Sequence, residues 1–116
     1  MRREVLYLTD MIEAADLIAQ FLAEADFDQF GKSELLRSAV AQKLAVIGEA
    51  AAHISEPLRS RYPEVPWPKI VAFRNILVHW YFGIDWEEVW LVAKERCPDL
   101  RQQIAQILAA EFPHNE

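Results

Sequence analysis

The chain has 116 residues, 53% of them hydrophobic, with four Trp, six Phe and three Tyr. That is enough for one packed core, too little for two, and it excludes a disordered chain. The formal net charge of −6 counts against a protein that coats nucleic acid nonspecifically, because phosphate would be repelled, yet it leaves room for a local basic pocket.

The elements read as helices throughout. Leu6, Leu8, Met11, Ile12, Ala15, Ile18, Phe21 and Leu22 recur at intervals of three and four, which predicts an amphipathic first helix over residues 4–25. A break follows at Asp26 to Gly31, with Gly31 expected in a turn. A second helix is predicted from Ser33 to about Ser55, with Leu36, Ala39, Val40, Leu44, Ile47, Ala50, Ala51 and Ile54 inward. Gly48 lies inside it. Glycine costs a helix about 1 kcal/mol relative to alanine, so its presence there argues for close approach by another helix. Pro57, Pro63, Pro66 and Pro68 mark a connector with one short turn after Pro57.

Pro68 suits the first position of a third helix, predicted from Lys69 to about Phe82 and ended by Gly83. Asp85, with Glu88 three residues on, is a capping-box-like start for a fourth helix carrying Trp86, Val89, Trp90 and Ala93. Pro98 is expected to begin a fifth, with Leu100, Ile104, Ile107, Leu108 and Phe112 inward. The fold class is therefore all-α: one domain over residues 1–116, an up-and-down bundle of four to five helices. No run approaches the roughly 20 apolar residues that span a bilayer. Met1-Arg2-Arg3-Glu4 leads straight into the first helix rather than into a signal peptide. A single cysteine, Cys97, excludes an internal disulfide and a thiolate zinc site, and a reducing cytoplasm fits.

Chemistry concentrates in the third helix. At about 100° per residue, Ile70, Phe73, Ile76, Leu77, Trp80 and Ile84 share one arc, the expected core face. The opposite side carries Val71, Asn75, Val78 and Phe82, too oily for solvent, which predicts burial against a second copy of the chain. Arg74 and Tyr81 flank that stripe on one side. His79 flanks it on the other, four residues from Asn75 and within hydrogen-bonding reach of it. Arg74 and His79 lie about 140° apart around an ideal helix and do not converge within one chain. A two-fold axis across Val71, Val78 and Phe82 would bring Arg74 of one copy toward His79 of the other.

The set suits metal-free phosphodiester chemistry. Imidazole can move a proton from a ribose 2′-hydroxyl or to a leaving 5′-oxygen. Guanidinium forks onto phosphate oxygens as charge builds, and Asn75 would orient the imidazole. No His, Asp or Glu spacing resembles a metal site, His53 and His114 stand alone, and no cofactor is called for. Glu49, beside Gly48, is the one buried-looking carboxylate, placed to orient Arg74 or to pair with another cation. Lys69, Arg37 and Lys43 read as solvated surface or as an RNA-contacting rim, and the four Trp read as core or interface. The same residue types also serve as ion-pair partners, satisfied core histidines and interface residues, and spacing alone does not separate these uses.

Phe73-Arg74-Asn75-Ile76-Leu77-Val78-His79-Trp80-Tyr81-Phe82-Gly83-Ile84-Asp85 resembles the Arg-x-x-x-x-His-x-Tyr signature of the HepT-like proteins, within the HEPN (higher eukaryotes and prokaryotes nucleotide-binding) superfamily. The likeness extends through Ile47-Gly48-Glu49-Ala50-Ala51 and Tyr62-Pro63-Glu64-Val65-Pro66-Trp67, then Val89-Trp90 and Pro98-Asp99-Leu100. It implies a homodimeric toxin of a type VII-like toxin–antitoxin pair, a metal-independent endoribonuclease with Arg74 and His79 catalytic in the dimer cleft and Asn75 supporting. It also implies a minimal nucleotidyltransferase antitoxin that attaches AMP to Tyr81, placing a phosphate diester where RNA phosphate must sit. Two rivals stand beside it. One is a non-catalytic module of the same fold that binds a nucleotide or a nucleotidyltransferase. The other is an interaction domain in which Val71, Val78 and Phe82 only make a dimer core.

Overall fold

The computed structural model describes residues 3–114. Seven α-helices, a 3₁₀ turn and a π segment follow one another among them, with no strand. α1 (Glu4–Leu22) buries Val5, Leu8, Met11, Ala14, Ala15, Ile18 and Leu22, a three-and-four spacing in which Val5 takes the inward place expected of Leu6, which is exposed. α2 (Phe27–Lys32) occupies the expected break. Asp26 and Gln29 form a reciprocal capping box that satisfies two orphan N–H groups and nucleates a short helix through Gly31. Its one buried side chain, Phe30, sits between Trp86 and Trp90, with ring centroids at 6.2 and 5.3 Å.

α3 (Glu34–Ala52) starts where the Ser33 hydroxyl accepts from the Leu36 N–H at 3.0 Å. It is the central element, packed on α1 along one side and on α5 along another. The connector holds the short α4 (Glu56–Arg61), started by Ser55 with Pro57 in its first turn. It is pinned by buried Val65 and Trp67, whose indole N–H donates to the Tyr62 carbonyl at 3.0 Å.

α5 (Trp67–His79) carries Pro68 in its first turn, where the missing N–H is harmless. It ends three residues earlier than the sequence indicates. Trp80 leaves the helical region at φ −125°, ψ 39°, and Tyr81–Gly83 tighten into a 3₁₀ turn. Tyr81 then packs edge-on against Trp86, which a continuing α-helix would not allow.

Asp85 caps α6 (Trp86–Leu91) by accepting from the N–H groups of Glu87 at 3.0 Å and Glu88 at 3.3 Å. Pro98 does not begin a separate helix. α6 runs through a π segment (Val92–Arg96) into α7 (Cys97–Glu111) without a loop. Proline lacks an N–H and its ring crowds the carbonyl four residues back; the wider π turn just ahead of it relieves both. Ile104 and Ile107 of α7 are buried as expected and the helix lies along α1. None of the described helices is long and apolar enough to cross a membrane.

The C-terminal turn is tied to the connector. Glu111 accepts from Arg61 Nη2 and from the Tyr62 hydroxyl, both at 2.7 Å. These two hydrogen bonds, Arg61 first, hold its carboxyl below the usual range. A carboxyl depressed in the folded state stabilises above its unfolded value of about 4.3 and loses that contribution as pH falls through the folded value. Thermal melting across an acid series should therefore separate the wild type from Glu111→Gln near neutrality, with the two curves converging in acid.

Candidate active site

Arg74 is held from two helices. Its stem crosses α3 at Gly48, where an added Cβ would stand 2.2 Å from Arg74 Cβ and 3.1 Å from the Ile70 carbonyl oxygen. Its tip is gripped one residue further along α3, where Nη2 donates to Glu49 Oε1 at 2.5 Å, while Nη1 donates to Asn75 Oδ1 at 2.8 Å. The close helix contact expected at Gly48 is present, and Glu49 is the partner of Arg74, although its carboxylate is exposed rather than buried.

Asn75 is not turned toward His79. Its carbonyl oxygen takes the guanidinium donor of Arg74 instead, a charge-assisted hydrogen bond. His79 stands exposed in the last turn of α5.

Tyr81 lies off α5, so it does not extend the Arg74 flank as the spacing predicts. Its hydroxyl is 3.3 Å from Ser38 Oγ on α3, and its ring meets Phe82 and Trp86 edge-on, both at 5.9 Å. Of the outer stripe, Phe82 is fully exposed and Val78 is 50% exposed, whereas Val71 is half-buried against the protomer's own core. Ile76 and Trp80 are not core residues: they are 43% and 70% exposed. The early helix end swings Trp80 outward, and Leu77 alone of the last turn is buried.

A hollow of about 300 Å³ opens between α1, α3 and α5, lined by Tyr7, Asp10, Gln42, Ala45, Val46, Glu49, Ala50, Arg74 and Val78. His53, which looks isolated in the sequence, belongs to its edge. Nδ1 is 2.9 Å from the Glu49 carbonyl oxygen and 3.7 Å from Glu49 Oε2, and the ring stacks on Tyr7 at 4.7 Å. The four-residue spacing of Glu49 and His53 was the available signal. Nothing in the sequence pattern marks Ser38, Tyr7 or Asp10.

A second cavity of about 510 Å³ lies between α3, α5 and the π segment, with Lys69 and Arg96 among its lining residues. Cys97 also lines it, its thiol pushed up to about 12 by burial and so unsuited to act as a nucleophile. Arg37 is occupied by the Gly31 carbonyl and by the Trp86 ring face. Among the described residues, no three His, Cys, Asp or Glu side chains gather as metal ligands.

Residues 11–107 match the ribonuclease HepT-like family. The chain belongs to that family. Three curated relatives agree along most of their length. An archaeal protein named as an RNase in Methanocaldococcus jannaschii is 37% identical over 98 residues, 84% of this chain and 90% of its own. A protein named ribonuclease HepT in Thermococcus cleftensis is 35% identical over 101 residues, 87% and 92%. A bacterial protein named as an RNase in Caldanaerobacter subterraneus is 29% identical over 105 residues, 90% and 94%. No solved structure matches. The HepT-like span takes in Gly48, Glu49, Arg74, Asn75, His79 and Tyr81, and it leaves Tyr7 and Asp10 of the hollow outside.

Proposed function

We propose that this chain is the toxin of a toxin–antitoxin pair, a metal-independent endoribonuclease whose site is completed by a second copy. The observation that carries it is the run of apolar side chains the protomer leaves uncovered along the motif segment: Val78 and Phe82 of the outer stripe are exposed, and so are Ile76 and Trp80. Large apolar side chains left bare on the segment that carries an arginine and a histidine are best covered by a partner, and a two-fold copy would offer the same segment. At that seam the imidazole of one copy takes the proton of a ribose 2′-hydroxyl, the 2′-oxygen bonds to phosphorus, and the bond to the 5′-oxygen breaks. The leaving oxygen is protonated from water, and Arg74 of the other copy neutralises charge growing on the phosphate oxygens.

RNA incubated with the purified protein in excess chelator should yield 2′,3′-cyclic phosphate and 5′-hydroxyl ends, and sedimentation should give a dimer. A monomer, or a dimer inert toward RNA in both chelator and divalent metal, would leave the binding-module reading in its place.

The proposed antitoxin is a minimal nucleotidyltransferase that places AMP on Tyr81. The exposure of that ring, 41%, supports access by an enzyme. Tyr81→Phe should still cleave RNA, because the hydroxyl is outside the proton transfer, but should no longer be silenced when the transferase and ATP are added. Silencing of the phenylalanine variant to the same extent would remove Tyr81 from the regulation.

A further inference from the structure

We infer that Glu49 is a positioning residue for the Arg74 guanidinium, which takes the nuclease reading above as its premise and adds to it a group on α3. A guanidinium has five N–H donors. Two terminal nitrogens are each tied once, Nη2 to Glu49 and Nη1 to Asn75, which leaves the Nε–H and one N–H on each terminal nitrogen for phosphate oxygens. The stem is fixed separately, where it passes over Gly48 with no room for a Cβ between the helices. Consecutive residues of one helix therefore hold the root and the tip of the same side chain. The Glu49 backbone is engaged as well: its carbonyl oxygen lies 2.9 Å from His53 Nδ1, and the His53 ring stacks on Tyr7 of α1.

An ion pair whose side chains are 30% and 51% exposed contributes little to stability, so holding the fold together is a poor use of it. Holding a flexible arginine in one rotamer at the wall of an open hollow is a better one, because a preformed donor array needs no reordering as phosphate charge develops. The arrangement also explains why a carboxylate, which repels RNA, is kept beside the residue meant to bind it. Its cost falls on affinity and its benefit on turnover.

Glu49→Ala and Glu49→Gln separate placement from folding. Glu49→Ala is expected to lower kcat about tenfold to a hundredfold, with KM unchanged or lower and the melting curve close to wild type. Glu49→Gln keeps an oxygen acceptor at the same reach and should recover part of that loss. A Glu49→Ala enzyme with wild-type kcat, or one whose whole defect lies in KM, overturns the assignment. The Arg74 Nε–Hε resonance gives a reading independent of catalysis: ordered in the wild type and averaged in Glu49→Ala supports it, while equal mobility in both overturns it. If the wild type cleaves no RNA, the nuclease reading falls, and this resonance alone decides whether Glu49 holds Arg74.

Discussion

Replacing His79 by alanine should lower RNA cleavage by roughly 10²–10⁴-fold, the usual weight of a positioned general base, and leave the melting temperature almost unchanged. The contrast follows from where the side chain sits. His79 is exposed in the final turn of α5, so little packing is lost on truncation. Arg74→Ala should be as damaging to cleavage but not silent in stability, because its stem fills the contact over Gly48.

Mixing the two inactive variants tests the seam itself. If each site takes arginine from one copy and histidine from the other, a mixed dimer regains one site of its two. With random exchange, about a quarter of wild-type activity should return. No recovery, with exchange verified by mass, would place both residues in one protomer or outside the chemistry. Equal residual cleavage by wild type and His79→Ala would favour the binding-module reading, and an effect of His79→Ala on stability or association alone would fit the interaction domain.

The long helices were legible because burial follows period. α1, α3 and α7 bury the positions that recur at three and four, and Asp85 marks the start of α6 by side-chain chemistry alone. Gly48 and Glu49 were legible for a different reason: a glycine and a carboxylate inside an apolar helix each contradict their surroundings and so call for a partner. The end of α5 was not. Gly83 is a terminator, but the chain leaves the helix at Trp80, where Tyr81 fits against nearby Trp86 and against Ser38 of α3, a contact far apart in sequence that no local pattern records. The exposure of Ile76 and Trp80 was hidden by the same limit, since periodicity says which residues are apolar and not whether the protomer has anything to put over them. α2 was overlooked although its capping box was in plain view, because six residues are too few to show a period.

Of the three glycines, Gly48 is the one where an added methyl group should do the most damage. Two effects oppose each other. Alanine favours a helix over glycine by about 1 kcal/mol, so a helical glycine with open space gains from the change. Gly31 of α2 has nothing within 4 Å of an added Cβ, and Gly31→Ala should raise stability. At Gly48 the new carbon would lie 2.2 Å from Arg74 Cβ and 3.1 Å from the Ile70 carbonyl oxygen. Carbons pack at about 3.5–4.0 Å, and neither neighbour is the free end of a flexible chain, so α5 must move by more than ~1 Å. Overpacking of that kind costs typically ~1–3 kcal/mol, occasionally more. It outweighs the propensity gain and should lower the melting temperature by roughly 5–10 °C.

Function should fall further than stability. Displacing α5 carries Arg74 away from Glu49, and a misplacement near 1 Å can cost about a hundredfold in rate. Melting and cleavage measured on Gly48→Ala and Gly31→Ala side by side separate the two terms. If both variants melt above wild type with cleavage intact, α3 and α5 do not meet at Gly48, and the arginine is placed by something else.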